Sequence, residues 1–118
     1  ELPVLGPDSV TAAKAALAAS KLDPSKYYDY HLALMRSQDI TLATVLKLAG
    51  EQGYDVKALQ QEMNAPWVQE RLDANHALAE ALGINGTPSF VVGKTLIPGA
   101  VDVARLEQLI ADQRKAVN

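Results

Sequence analysis

The chain contains no cysteine among its 118 residues. It therefore has no thiolate nucleophile, cannot form a disulfide and offers no sulfur ligand for zinc. Histidine is nearly as scarce, since His31 and His76 are the only two and lie far apart in sequence. Neither has a carboxylate at a spacing typical of helical metal ligands. We therefore expect no metal site and no cofactor.

Long apolar runs and basic clusters are also missing. No stretch approaches the roughly 20 apolar residues that a membrane-spanning helix needs, so we expect no membrane span. Lysine and arginine number 11 against 14 aspartates and glutamates, and the basic residues are scattered, which argues against nucleic-acid binding. Because the chain begins at Glu1 without an initiator methionine, the lack of a signal peptide says nothing about compartment.

What the sequence does contain is a globular composition with mainly helical signals. Hydrophobic residues make up 48% of the chain, which fits a domain with a modest core. Apolar periodicity predicts successive helices over residues 8–83, the first of them capped by Asp8 or Ser9. The inward face predicted for the second helix consists of Tyr28, His31 or Leu32, and Met35.

Strand signals are confined to the two ends of the chain. Residues 2–5 have the pattern of the last part of a strand, and residues 89–97 predict a β-hairpin with Gly93 at the first central position of a type II′ turn. Val91 and Val92 make both faces of the first hairpin strand apolar, which is typical of a covered central strand. Since a lone hairpin is only marginally stable, we expect this sequence to be part of a domain.

The turn Gly86-Thr87-Pro88 stands directly before this hairpin. Its proline carries no N–H for a ladder bond and restricts the conformation of Thr87. One function of such a turn is to present the backbone of Thr87 to another molecule. The plainer interpretation is a proline that marks the beginning of a strand.

The surroundings of this turn resemble a known family. Residues 83–93, followed by Pro98-Gly99-Ala100 and a helix, resemble the C-terminal part of thioredoxin-superfamily domains. Residues 2–9, the alanine-rich helix after them and the series of helices before the turn are similar to the DsbA-like branch. The resemblance implies an α/β fold class, a partial thioredoxin-like (DsbA-like) fold within a single domain. Its parts are the end of a strand and a loop (1–7), a mostly helical insertion (8–83), and a cis-Pro turn, β-hairpin and C-terminal helix (84–118).

The resemblance also implies a thiol:disulfide oxidoreductase or isomerase that acts on protein disulfides. In such a protein Pro88 is cis and lies beside the redox-active sulfurs, while the backbone of Thr87 pairs with an extended substrate segment. Gly86, Thr87 and Pro88 are then the substrate-binding residues, and Thr87 and Pro88 contribute to the catalytic site. The hydroxyl of Thr87 faces the sulfurs and tunes them, and threonine there resembles the isomerase- and reductase-type members.

The implied partners and compartment follow from the same activity. Substrates are unfolded or misbonded proteins, a redox partner protein completes the cycle, and the expected location is the periplasm or cell envelope.

The sequence departs from the family in one respect. The family's Cys-x-x-Cys pair lies upstream of the region that matches here, and nothing in this chain corresponds to it. We therefore expect the chain alone to be inactive and the redox pair to lie in a missing N-terminal half. The uncovered central strand is expected to pair with that half or with a second copy of the chain.

Three alternatives remain open from the sequence. A kappa-type glutathione transferase or isomerase shares the scaffold and uses serine or another residue in place of the first cysteine, so the upstream sequence distinguishes it. A non-catalytic peptide-binding or chaperone-like module would keep the peptide groove without the chemistry. A plain helical domain, finally, would contain the proline turn only incidentally.

Overall fold

The computed structural model describes residues 1–117, which form six helices and one hairpin. No helix within these residues is long and apolar enough to cross a membrane. The chain packs as two compact units, Glu1–His76 and the residues from Ala77 onward. The elements in chain order are α1 (Pro7–Leu22), α2 (Pro24–Arg36), α3 (Leu42–Glu51), α4 (Val56–Met63), α5 (Pro66–Ala81), β1 (Ser89–Val92), β2 (Thr95–Pro98) and α6 (Val103–Val117).

The first unit is built around the alanine-rich helix α1. Ala15, Ala18 and Ala19 are completely buried, because α2, α3 and α4 all pack against this helix. Alanine suits this position, since it has the highest helix propensity and its small side chain allows close approach of neighbouring helices. The side chains that complete this core are Tyr30, Leu34, Val45, Ala49, Tyr54, Leu59 and Met63.

The inward face predicted for α2 is wrong. Tyr28 and Met35 are 67% and 66% exposed, and the buried residues of α2 are Tyr30 and Leu34. The Tyr30 hydroxyl donates a 2.9 Å hydrogen bond to the carbonyl of Val45, so the whole side chain can be buried without an unpaired polar group. Both faces of this helix are apolar, so periodicity alone does not decide which one turns inward.

The beginning of α1 also differs from the prediction. The helix begins at Pro7, and Gly6, with a φ of 93°, is its N-cap residue, so Asp8 lies in the first turn instead of capping it. Proline is favoured at the first helical position because its φ is already helical and its missing N–H has no intrahelical partner there. The next helices are capped by side chains: Asp23 accepts from the amide of Ser25 at the N-terminus of α2, and Asp55 accepts from Ala58 at that of α4.

The predicted strand end at residues 2–5 is not formed, because no strand lies beside it among residues 1–117. Glu1, at the beginning of this segment, is fixed to the helices by hydrogen bonds from side chains. The Tyr27 hydroxyl donates to the Glu1 carboxylate at 2.7 Å, and the Asn75 side-chain amide donates to the Glu1 carbonyl at 2.7 Å. A strand needs a neighbour to pair its backbone groups, and here the segment remains irregular.

The hairpin of the second unit forms as predicted. β1 and β2 pair antiparallel with Ser89 opposite Pro98 and Val92 opposite Thr95. Gly93 has a φ of 62°, while Lys94 after it has no positive φ. This is the pattern of a type II′ turn. The closing helix α6 is capped by Asp102, whose carboxylate accepts a 2.7 Å hydrogen bond from the Arg105 amide.

The second unit buries little apolar surface. No residue of α6 is buried, and Val91 of β1 and Val103 of α6 are 49% and 70% exposed. The hairpin and α6 contact each other, but the inward residues are only half-buried. These half-buried residues are Phe90, Val92, Leu96, Ile97, Leu106 and Leu109.

Candidate functional site

The candidate site is the exposed turn formed by Gly86, Thr87 and Pro88, called the docking turn below. The end of α5 fixes the direction in which the chain approaches it. Gly83 has a φ of 73°, its amide donates to Glu80 O at 3.0 Å, and the Ile84 amide donates to Ala79 O at 2.9 Å. This pair of bonds around a left-handed glycine is the Schellman arrangement that ends a helix.

Two hydrogen bonds hold the docking turn from either side. The Ser89 hydroxyl donates to the Gly86 carbonyl at 2.6 Å. The Gly99 amide, just beyond β2, donates to the Pro88 carbonyl at 3.0 Å. The peptide bond between Thr87 and Pro88 is cis. The carbonyls of Gly86 and Pro88, on either side of Thr87, therefore both have partners within the second unit.

The backbone of Thr87, by contrast, is free. All three residues of the docking turn are exposed, and neither the N–H nor the C=O of Thr87 takes part in a hydrogen bond within residues 1–117. One donor and one acceptor on a single exposed residue are what an extended peptide needs to pair with a protein backbone.

A concave space of about 300 Å³ adjoins the docking turn. Ile84, Leu96 and Pro98 supply its apolar walls, and Asn85 adds a polar side chain. The space has room for a side chain of a bound segment. It contains no ionisable group, so backbone hydrogen bonds and apolar contacts are the interactions that this surface provides.

Sequence reasoning selected Gly86, Thr87 and Pro88 but missed Ser89 and Gly99, which fix the turn. A signal for Ser89 was available, because a serine three residues after a glycine can bond back to the backbone of a turn. Gly99 has a φ of 82°, which favours glycine. The acceptor of its amide, the Pro88 carbonyl, comes within reach only through the register of the hairpin. The residues next to Gly99 in sequence therefore do not predict this bond.

Trp67 and His31 both contact other side chains of the first unit. Trp67 is half-buried, its indole N–H donates to the Glu62 carboxylate at 2.6 Å, and Lys21 lies over its ring. The pKa of Glu62 is lowered by hydrogen bonds from Lys21 and Trp67. His31 is half-buried and packs against the Tyr27 ring at a centroid distance of 5.9 Å.

Comparison with known families identifies the fold. Residues 3–111 match the DSBA-like thioredoxin domain family. The chain belongs to this family, and the resemblance and fold class inferred from residues 83–93 and the helices before them are confirmed.

Solved structures agree with this assignment. A thioredoxin-like oxidoreductase from Silicibacter pomeroyi is 43% identical, with a TM-score of 0.90 over 98% of this chain and 66% of that one. The thiol-disulfide exchange protein alpha-DsbA2 from Wolbachia pipientis is 30% identical, with a TM-score of 0.85 over 95% of this chain and 62% of that one.

A curated relative is similar over a much smaller share of its own length. The Na(+)/H(+) antiporter NhaA of Nitrosospira multiformis is 31% identical over 101 residues, which are 80% of this chain and 15% of the antiporter. The chain thus spans less than two thirds of each of these three relatives.

Proposed function

We propose that this chain is the substrate-docking portion of a thiol:disulfide oxidoreductase that acts on protein disulfides. The observation that carries the proposal is the free backbone of Thr87 between two carbonyls that are already paired. An extended substrate segment forms a short β-type pairing with the N–H and C=O of Thr87. Pro88, which has no N–H, adds no competing donor at this point.

The reaction itself needs sulfurs that this chain does not contain. In thiol–disulfide exchange, a thiolate attacks one sulfur of a disulfide, a new S–S bond forms as the old one breaks, and the other sulfur leaves as a thiolate. We place the attacking thiolate on a cysteine pair in a segment that precedes Glu1. Docking at Thr87 holds the substrate disulfide next to that pair, where the Thr87 hydroxyl can donate a hydrogen bond to the thiolate.

The thin core of the second unit supports such a preceding segment. Val91 leaves one face of β1 open to solvent and α6 contains no buried residue. Further strands and a helix packed on these surfaces would remove apolar area from water. The coverage of solved relatives, 66% and 62% of their chains, leaves length for these elements.

Turnover of a peptide disulfide tests the activity. We expect the polypeptide that includes the segment before Glu1 to reduce or rearrange a peptide that contains one disulfide, and the 118-residue chain alone to show no turnover. A preceding segment without a Cys-x-x-Cys pair, or with the pair but without turnover, would contradict the proposal. Conjugation of glutathione by a cysteine-free longer polypeptide would favour a kappa-type transferase.

A non-catalytic peptide-binding module is the second candidate, because the docking turn leaves the backbone groups of Thr87 unpaired within residues 1–117 and the chain contains no cysteine. It shares the docking turn with the first proposal and differs in chemistry alone. Binding of a cysteine-free unstructured peptide by the 118-residue chain, together with no turnover by the longer polypeptide, would establish it.

The proposed compartment and partners follow from the exchange reaction. Net oxidation or isomerisation of protein disulfides belongs in an oxidising compartment, so we place the protein in the periplasm or cell envelope. Its substrates there are unfolded or misbonded proteins, and a redox partner protein regenerates its cysteines. Fractionation of cells that produce the natural polypeptide checks the location.

A further inference from the structure

The bond from Ser89 to Gly86 acts on Thr87 as well. The carbonyl of Gly86 and the N–H of Thr87 belong to one planar peptide group, so they cannot rotate independently. The only cis peptide bond among residues 1–117 is Thr87–Pro88, so the Gly86–Thr87 group is trans and its C=O and N–H point in opposite directions. The 2.6 Å bond from the Ser89 hydroxyl therefore sets the direction of the Thr87 N–H.

This restraint matters because of the residue before Thr87. Gly86 has no side chain, and a Cβ built there would meet no atom within 4 Å. Glycine allows a wide range of backbone angles, so Gly86 itself does little to fix the orientation of the peptide group that follows it. The Ser89 hydroxyl supplies the restraint that a side chain at Gly86 would otherwise provide.

The hydrogen bond from Ser89 to the Gly86 carbonyl also makes the Thr87 N–H a stronger donor. A hydrogen bond accepted by a carbonyl polarises the peptide group and makes its N–H a better donor, as in chains of cooperative hydrogen bonds. Because the Gly86 carbonyl accepts from Ser89 while the Thr87 N–H has no partner within residues 1–117, the effect is available to an incoming acceptor.

We propose that Ser89 is a positioning residue for substrate docking, which orients and polarises the Thr87 N–H through the Gly86 carbonyl. The inference rests on the proposed docking function and adds a residue that acts on Thr87 through the Gly86 carbonyl. Ser89 is the first residue of β1 and is half-buried, and its hydroxyl bonds back along the chain to the turn.

Three variants of the 118-residue chain test the role. Ser89→Ala removes the hydroxyl, and Ser89→Thr retains it on a side chain that also suits a strand. Ser37→Ala is the matched control, because the Ser37 hydroxyl donates a bond of the same 2.6 Å length to a backbone carbonyl, that of Asp39. The probe is a short unstructured peptide in which serine replaces cysteine, so that it cannot form a covalent bond.

We expect Ser89→Ala to weaken peptide binding by about five- to tenfold, which is the change in affinity that corresponds to the net contribution of one hydrogen bond. Ser89→Thr should stay within about twofold of the parent, and Ser37→Ala should match it. In the longer, active polypeptide Ser89→Ala should raise KM and leave kcat unchanged, since the chemistry at sulfur is not altered. Equal binding by the parent and Ser89→Ala would overturn the role of Ser89.

A second readout does not depend on binding. The amide ¹H chemical shift of Thr87 reports polarisation of its peptide group, and it should move upfield in Ser89→Ala and return in Ser89→Thr. If the parent chain binds no peptide but this shift changes as expected, docking fails while the coupling between Ser89 and Thr87 stands. If the Thr87 amide shift is the same in the parent, Ser89→Ala and Ser89→Thr, the coupling between Ser89 and Thr87 fails, whatever the affinity for peptide.

Discussion

At the scale of single residues, the docking turn separates backbone chemistry from side-chain chemistry. Thr87 offers an N–H and a C=O without partners, and its side chain makes no hydrogen bond within residues 1–117. In our account the backbone binds the substrate, while the hydroxyl acts on a sulfur that comes from outside this chain. The two contributions can therefore be separated by a substitution that changes the side chain only.

Thr87→Val is that substitution, since valine has nearly the shape of threonine and lacks the hydroxyl. We expect peptide binding by the 118-residue chain to stay within about twofold of the parent, because the backbone groups are unchanged. The redox potential of the longer polypeptide should shift, because a hydrogen bond to the thiolate is lost. Titration of the unstructured peptide and redox equilibration with glutathione measure the two effects. A large loss of binding would contradict docking through the backbone.

The tyrosines of the first unit give a residue-scale prediction about pH. Burial is the main cause that raises the pKa of Tyr27 to about 12, and the hydrogen bond to Glu1 adds to it. Burial likewise raises the pKa of Tyr30 and of Tyr54, with smaller contributions from Tyr54 and Asp23 respectively. Above pH 10 the unfolded chain loses these protons while the native chain keeps them, so stability must fall as pH rises.

Tyr30→Phe tests this prediction. Near pH 8 the variant should be less stable by about 1 kcal/mol, because the hydrogen bond to the Val45 carbonyl is lost. Near pH 11 the difference from the parent should narrow, since the parent alone has the Tyr30 proton to lose on unfolding. Urea unfolding at both pH values measures it. A difference that stays constant or widens would show that Tyr30 does not titrate as its burial implies.

Sequence reasoning selected the three residues of the candidate site but not the groups that hold them. Gly86, Thr87 and Pro88 form a contiguous and unusual motif, so a local pattern was sufficient to select them. Gly99 reaches Pro88 only after the hairpin has folded back with a particular register. Contacts of this kind depend on pairing between strands, which a reading of neighbouring residues does not contain.

At the scale of secondary-structure elements, caps and turn residues account for several boundaries. Asp55 and Asp102 cap helices through bonds to amides three residues later, and Gly93 has the positive φ of the hairpin turn. These features are local, and local chemistry is sufficient to position them. The inward face of α2 was predicted wrongly because both of its faces are apolar, and periodicity alone does not distinguish them.

The dependence of the first unit on the small residues of α1 is an element-scale prediction. Ala18 is fully buried, so Ala18→Leu should destabilise the chain by about 1–3 kcal/mol through overpacking. Ala74→Leu is the control, because Ala74 is exposed on α5 and the same substitution there should cost less than about 0.5 kcal/mol. Urea unfolding of both variants measures the difference. Equal stability of the two variants would mean that α1 is not closely packed.

At the scale of the whole molecule, the two units differ in how completely they are built. The residues of the main hydrophobic cluster all belong to Glu1–His76, whereas α6 of the second unit has no buried residue. The apolar pattern of Val91 and Val92 predicted a strand covered on both faces, and Val91 is instead 49% exposed. Within residues 1–117 Val91 stays half exposed, so the covering neighbour expected from the sequence remains a prediction.

The central claim is that Thr87 binds a substrate backbone, and amide hydrogen exchange at Thr87 tests it most directly. With the cysteine-free unstructured peptide at saturation, exchange of the Thr87 amide should slow by at least about tenfold, because its N–H becomes hydrogen-bonded. The Gly6 amide, which is exposed in the first unit and donates no hydrogen bond within residues 1–117, serves as the internal reference and should not change. Saturating binding that leaves the exchange rate of Thr87 unaltered would contradict the account.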